Sequence, residues 1–117
     1  INNNYDEAFS FMLQKAKELA SNLPLIISGD LNVNEKDDAY FTLANSPSIQ
    51  DTYELSPIVY EPNSSFNGWG KSLEKKSRID HIFVSKPFNI LRYGILTDTY
   101  LGKYPSDHFP VSVHMEW

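Results

Sequence analysis

Three polar clusters in this 117-residue chain carry the residue types that acid–base and metal-assisted chemistry require: Asp30 with Asn32, Asp80 with His81, and Ser106-Asp107-His108. Asp30 and Asn32 follow a short apolar run, Leu25-Ile26-Ile27, that stops at Gly29. An acid can hold charge or a proton, and an amide can both donate and accept. Spaced by two, the pair points to one side if extended geometry continues through Leu31. Asp80 interrupts the apolar stretch Ile79–Ser85, where an ionised carboxylate is costly unless paired. A histidine that must keep one tautomer or become cationic needs a carboxylate beside it. Asp80 with His108 satisfies both needs. Each group alone has an ordinary reading, Asp80 as a strand-end acid bonded to a turn and His108 as a turn histidine before Pro110. Three such interruptions in one small domain favour a shared site.

The elements that must position these groups follow from periodicity. Residues 24–28, bounded by Pro24 and Gly29, read as a fully buried strand lying mid-sheet. Polar groups just past the ends of such strands are where open sheets collect ligands. Ahead of it, Tyr5, Ala8, Phe9, Met12, Leu13, Ala16, Leu19 and Ala20 fall on one stripe and predict a helix over 5–21. Asn34 reads as the N-cap of a second helix near 35–45, with Glu35, Asp37 and Asp38 suiting its dipole. Residues 47–65 read as an ordered surface loop with a short segment around Asp51–Leu55. Strands are predicted over 79–85, 90–96 and 109–116, with Asp80, Ile82 and Val84 on one face of the first and Ile79, His81 and Phe83 on the other. Helix, strand and helix followed by three strands make an α/β (α+β) arrangement with much of its sheet antiparallel.

A hydrophobic content of 41% supplies a core and excludes wholesale disorder. No apolar run approaches the roughly eighteen residues of a membrane span, so no transmembrane segment is expected. The absence of cysteine excludes disulfides and thiolate metal sites. Proteins that grip long nucleic-acid backbones usually show a basic face. Here the net charge is −5 and the only basic cluster is Lys71, Lys75, Lys76 and Arg78. That balance favours small phosphate esters over long duplex DNA.

Gly29-Asp30-Leu31-Asn32-Val33, Ser77-Arg78-Ile79-Asp80-His81-Ile82-Phe83-Val84-Ser85 and Tyr104-Pro105-Ser106-Asp107-His108-Phe109-Pro110-Val111 occur in that order. Ser65-Phe66-Asn67-Gly68 precedes the second. Together they resemble the C-terminal motifs of the endonuclease/exonuclease/phosphatase superfamily, the deoxyribonuclease I-like fold, and the similarity runs from the first helix to the C-terminus. The resemblance implies half of a four-layer αββα sandwich, with a mostly antiparallel sheet and helices on its outer face. Residues 1–117 would form the C-terminal portion of a catalytic domain, a divalent-metal-dependent phosphoesterase. By the same resemblance Asp30 would orient or deprotonate the attacking water, and Asn32 would hold the scissile phosphate or a metal-bound water. Asp80 would hydrogen-bond His108, which would contact a non-bridging phosphate oxygen. Asp107 would approach the metal or assist the leaving group. Asp30, Asn32 and Asp107 are thus the metal-side residues, and oxygen donors without cysteine point to Mg²⁺ or Mn²⁺. Phe66 and Trp69 would shape the substrate pocket, Arg78 would anchor its loop, and His81 and His114 would be structural.

The motifs of the family's first half are absent from these residues: a strand-borne metal-binding Glu, an Asn near the N-terminus, and a His in an Asp/Thr-His motif. The inner face of the sheet is therefore expected to be an apolar surface larger than monomers leave open, covered by a companion half-domain or by self-association. The substrate would be a phosphomonoester or phosphodiester of a small molecule, a lipid headgroup or nucleic acid. A DNA or RNA nuclease whose basic surface lies in the other half, and a non-catalytic interaction module, are the alternatives.

Overall fold

The first helix, α1 (Asn3–Ala20), turns Phe9, Met12 and Leu13 into a core shared with Ala39, Tyr40 and Leu43 of α2 (Asp38–Ala44). The computed structural model describes residues 3–73 and 77–117, so Lys75 and Lys76 of the basic cluster lie outside the described residues. The predicted apolar stripe of α1 is longer than the surface beneath it, because Leu19 stands 84% exposed. Helix α2 starts later than Asn34 predicts. The Asn34 Oδ1 accepts the Lys36 amide at 2.8 Å, closing a local turn before the helix begins. Asn side chains offer the backbone such alternatives to helix, and here the alternative wins.

The strands are β1 (Ile26–Asp30), β2 (Gln50–Asp51), β3 (Val59–Tyr60), β4 (Asp80–Val84), β5 (Asn89–Ile95) and β6 (Val111–Glu116), with a short helix α3 (Thr52–Leu55) after β2. They form two three-stranded sheets, β1-β4-β2 and β3-β5-β6, where one continuous sheet was expected. Pairing is antiparallel except between β3 and β5. The α/β class with mainly antiparallel sheet therefore holds. The position of β1 does not, because it is an edge strand paired only with β4. Leu25 and Ile27 pack into the core under the helices, while Ile26 on the opposite face is 50% exposed. A brief apolar run cannot reveal that only one face of its sheet is covered.

The faces of β4 divide as its alternation predicts. His81 and Phe83 are buried on the helix side, and the His81 Nε2 lies 2.8 Å from the Val33 carbonyl. That satisfies a buried imidazole, matching the structural role expected of it. A second core under β5 and β6 joins Tyr93, Ile95 and Phe109 with Val111 and Val113. His114 projects outward on the exposed face of β6.

Arg78, just before β4, is 2% exposed. Its guanidinium lies 3.6 Å from the centre of the Tyr53 ring and is paired with Asp51 at 3.7 Å and Glu61 at 4.0 Å. A charge this deep is retained only with partners on hand. Arg78 thereby fastens the loop between β2 and β3 to the strand that carries Asp80.

Candidate active site

The register of β1 against β4 sets Asp30 directly opposite Asp80. Like charges at opposed ladder positions destabilise a sheet unless a cation lies between them. The loop before β6 supplies one. The His108 Nδ1 donates to the Asp80 Oδ2 at 2.8 Å, and its Nε2 lies 3.6 Å from the Asp30 Oδ2. Burial pulls the His108 pKa down, but the Asp80 hydrogen bond and the charges of Asp80, Asp30 and Asp107 outweigh it and leave it raised. The imidazole is thus poised to be cationic. Phe66 packs edge-on against the ring, 5.2 Å between centres, and fixes its plane.

Beyond Asp30 the chain does not stay extended as the Asp30/Asn32 spacing supposed. Leu31 N–H continues the ladder to the Ile79 carbonyl, then Asn32 takes a left-handed φ of 57°. The Asp30 Oδ1 accepts the Asn32 amide at 2.9 Å. Asn tolerates this conformation better than most residues, so the pair shares a tight turn at the exposed strand end. Asp107 is half-buried; its carboxylate contributes to the field on His108 while its carbonyl accepts the Asn67 and Gly68 amides. Trp69 is 60% exposed and stands outside this cluster, whereas Phe66 belongs to it.

Among the described residues, Asp30, Asp80 and His108 bring ligand-capable atoms within 4.8 Å of one another. The His108 Nδ1 is engaged by Asp80, and its raised pKa favours the protonated ring, in which both nitrogens donate. The carboxylate of Asp30 on the exposed strand end is the hard oxygen donor that suits Mg²⁺ or Mn²⁺, ions that keep several waters and need only one or two carboxylates. Asp30 thus fits a divalent cation as one oxygen ligand, whereas Asp107, expected on the metal side, does not join the Asp30–Asp80–His108 group.

A cavity of about 290 Å³ opens on Asp30, Asp80, Ile82 and Pro110, and another of about 130 Å³ lies against His108, Leu96, Asp98 and Tyr100. A larger one, about 470 Å³ beside Arg78, Tyr53 and Glu61, shares no residue with the cluster. Two buried polar residues near the site escaped the sequence reading: Ser65, and the side chain of Asn67, whose Nδ2 donates to the Ser106 carbonyl at 3.1 Å. Their only sequence signal was the Ser65–Gly68 segment itself.

The family model described as Endonuclease/Exonuclease/phosphatase family matches residues 6–108. Among solved structures, a mannosyl-6-phosphatase of Bacteroides thetaiotaomicron is 41% identical over 92% of this chain and 44% of its own, with a TM-score of 0.85. A second protein of that organism, described as an endonuclease/exonuclease/phosphatase family protein, is 41% identical over 91% and 43%, with a TM-score of 0.83. One from Bacteroides vulgatus, 24% identical over 96% and 43%, shares the fold with a TM-score of 0.86. The chain therefore spans less than half the length of these relatives. No curated protein matches it.

Proposed function

The chain belongs to the endonuclease/exonuclease/phosphatase family, and on that premise we propose that it supplies the phosphate-handling part of a Mg²⁺- or Mn²⁺-dependent hydrolase of a small phosphate ester. The observation that carries this reading is His108 held between Asp80 and Asp30. Phosphoester hydrolysis needs an oriented water, neutralisation of phosphate charge and help for the departing oxygen. The 3.6 Å between the His108 Nε2 and Asp30 is too long for a hydrogen bond, and a non-bridging phosphate oxygen entering there accepts the Nε2 proton. Asp80 keeps that imidazolium oriented and charged, so its donor is aimed where charge grows in the transition state. Asp30 orients the water and takes its proton as the water oxygen attacks phosphorus and the ester bond breaks. Asn32 steadies the phosphate from its turn, and Asp107 assists the leaving oxygen. Asp30, Asn32 and Asp107 would hold the divalent cation, which would supply further neutralisation of phosphate charge.

The alcohol part of the ester occupies the 130 Å³ cavity lined by His108, Tyr100 and Leu96, with Phe66 bracing the catalytic ring. Trp69, further out, contacts the substrate only as a rim. The relative named as a mannosyl-6-phosphatase supports a sugar phosphate as the substrate class. A grip on nucleic-acid backbone finds less support, since Arg78 of the basic cluster is turned inward and already paired. The chain forms the C-terminal portion of a catalytic domain whose remaining residues cover exposed apolar side chains on its two sheets, Ile26 on one and Tyr60 on the other.

The test is phosphate release by the complete catalytic domain from mannose 6-phosphate, an aryl phosphomonoester and a bis-aryl diester, with Mg²⁺ and with EDTA. Metal-dependent turnover of a monoester supports the proposal. Turnover of the bis-aryl diester alone would move the substrate class from sugar monoesters to phosphodiesters, and none at all would overturn the hydrolase reading.

A further inference from the structure

The Ser65-Phe66-Asn67-Gly68 segment contributes only Phe66 to the chemistry above, yet Ser65 and Asn67 are both 0% exposed. A buried serine costs free energy unless its hydroxyl is used. Here the Ser65 Oγ accepts two successive backbone amides, Ile79 N–H at 3.0 Å and Asp80 N–H at 3.2 Å. The Ser65 carbonyl accepts the Phe109 amide at 2.7 Å. One residue therefore bonds both the backbone on which Asp80 stands and the backbone next to His108. The neighbouring strand does not do this, because β2 pairs with β4 only at Phe83 and Val84 and leaves the Asp80 end without a neighbour on that side. Asn67 extends the grip through its amide to the Asp107 carbonyl at 2.7 Å.

We propose that Ser65 is a positioning residue for the Asp80–His108 pair, fixing the separation of the two backbones and hence the 2.8 Å contact between their side chains. It touches neither substrate nor reacting atoms, and the proposal rests on the reading of Asp80 and His108 given above. Misplacing a catalytic group by about 1 Å can slow turnover by about a hundredfold.

The test compares Ser65→Ala, Ser65→Thr and Thr52→Val in the complete catalytic domain. Thr52 is the matched control, a 0% exposed hydroxyl that donates to the Ile82 carbonyl at 2.8 Å on the same strand but does not bridge that strand to the backbone beside His108. The readouts are kcat and KM together with the NMR resonance of the His108 Nδ1 proton, which needs no turnover. Ser65→Ala is expected to lower kcat about tenfold or more with KM within about twofold, and to move the Nδ1 proton upfield. Ser65→Thr, which keeps the oxygen, retains both signals, and Thr52→Val leaves both near wild type even where its Tm falls. An unchanged Nδ1 proton and kcat in Ser65→Ala, or equal losses in Thr52→Val, overturns the proposal. If Ser65→Ala does not fold, Ser65→Cys, with its weaker acceptor, is judged by the same outcomes. A wild-type domain without turnover would sink the hydrolase reading, while the Nδ1 proton would still decide the role of Ser65.

Discussion

Asp30 and Asp80 face each other as register partners, and the repulsion between them makes a cation at His108 favourable. Burial opposes that charge, but the Asp80 bond and three carboxylates prevail, so the folded pKa lies above the ordinary 6.5. A histidine raised in the folded state adds stability in full below its unfolded pKa and loses it as pH rises through the folded value. An NMR titration of His108 should therefore show a midpoint above 6.5, moving back down in Asp80→Asn. Hydrolysis should decline with pH along the same limb, because the neutral ring has no proton for the phosphate. A wild-type midpoint at or below the ordinary value would contradict this account of the pair. His81 has the opposite sign. Burial depresses its pKa, so the unfolded chain binds a proton more readily, and this contribution to stability is lost as pH falls below 6.5.

At the scale of elements, Arg78 links the β2–β3 loop to β4 through Tyr53, Asp51 and Glu61. Arg78→Ala strands the Asp51 carboxylate in the interior and should destabilise the fold by about 3 kcal/mol, read from the urea midpoint at constant slope. Arg78→Lys should recover only part of this, since an ammonium does not reproduce the planar stack on Tyr53; full recovery would mean that charge alone matters. The strands over 79–85, 90–96 and 109–116 were legible because alternation along a half-buried strand is written in residue type. The Asp80–His108 contact was legible because an acid in an apolar strand needs a partner. The edge position of β1 was not, since local sequence does not say which neighbours a strand will find. The conformation of Asn32 and the late start of α2 were hidden for a shared reason: Asp30 and Asn34 bond to nearby amides, a competition that periodicity ignores. Ser65 looked like loop composition, and only its burial shows that its oxygen holds two amides.

For the whole molecule, the proposed small phosphate ester predicts activity that changes only a few-fold between low and physiological salt; these 117 residues carry a net charge of −5 and turn Arg78 inward. A nuclease making several phosphate contacts would lose far more. Exposed apolar side chains stand on both sheets, Ile26 at 50% on one and Tyr60 at 56% on the other, and such surface invites a cover. Residues 1–117 alone should therefore self-associate in sedimentation or bind an apolar dye, and the complete catalytic domain should do neither. A monodisperse, dye-silent 117-residue chain would show that this surface needs no partner. Whether His108, held by Asp80, carries phosphoester hydrolysis is decided by kcat/KM of His108→Ala against wild type. In the complete domain with Mg²⁺ and a sugar phosphate, it should fall about a hundredfold to ten-thousandfold with the fold intact by circular dichroism. A variant within about threefold of wild type would place the chemistry elsewhere.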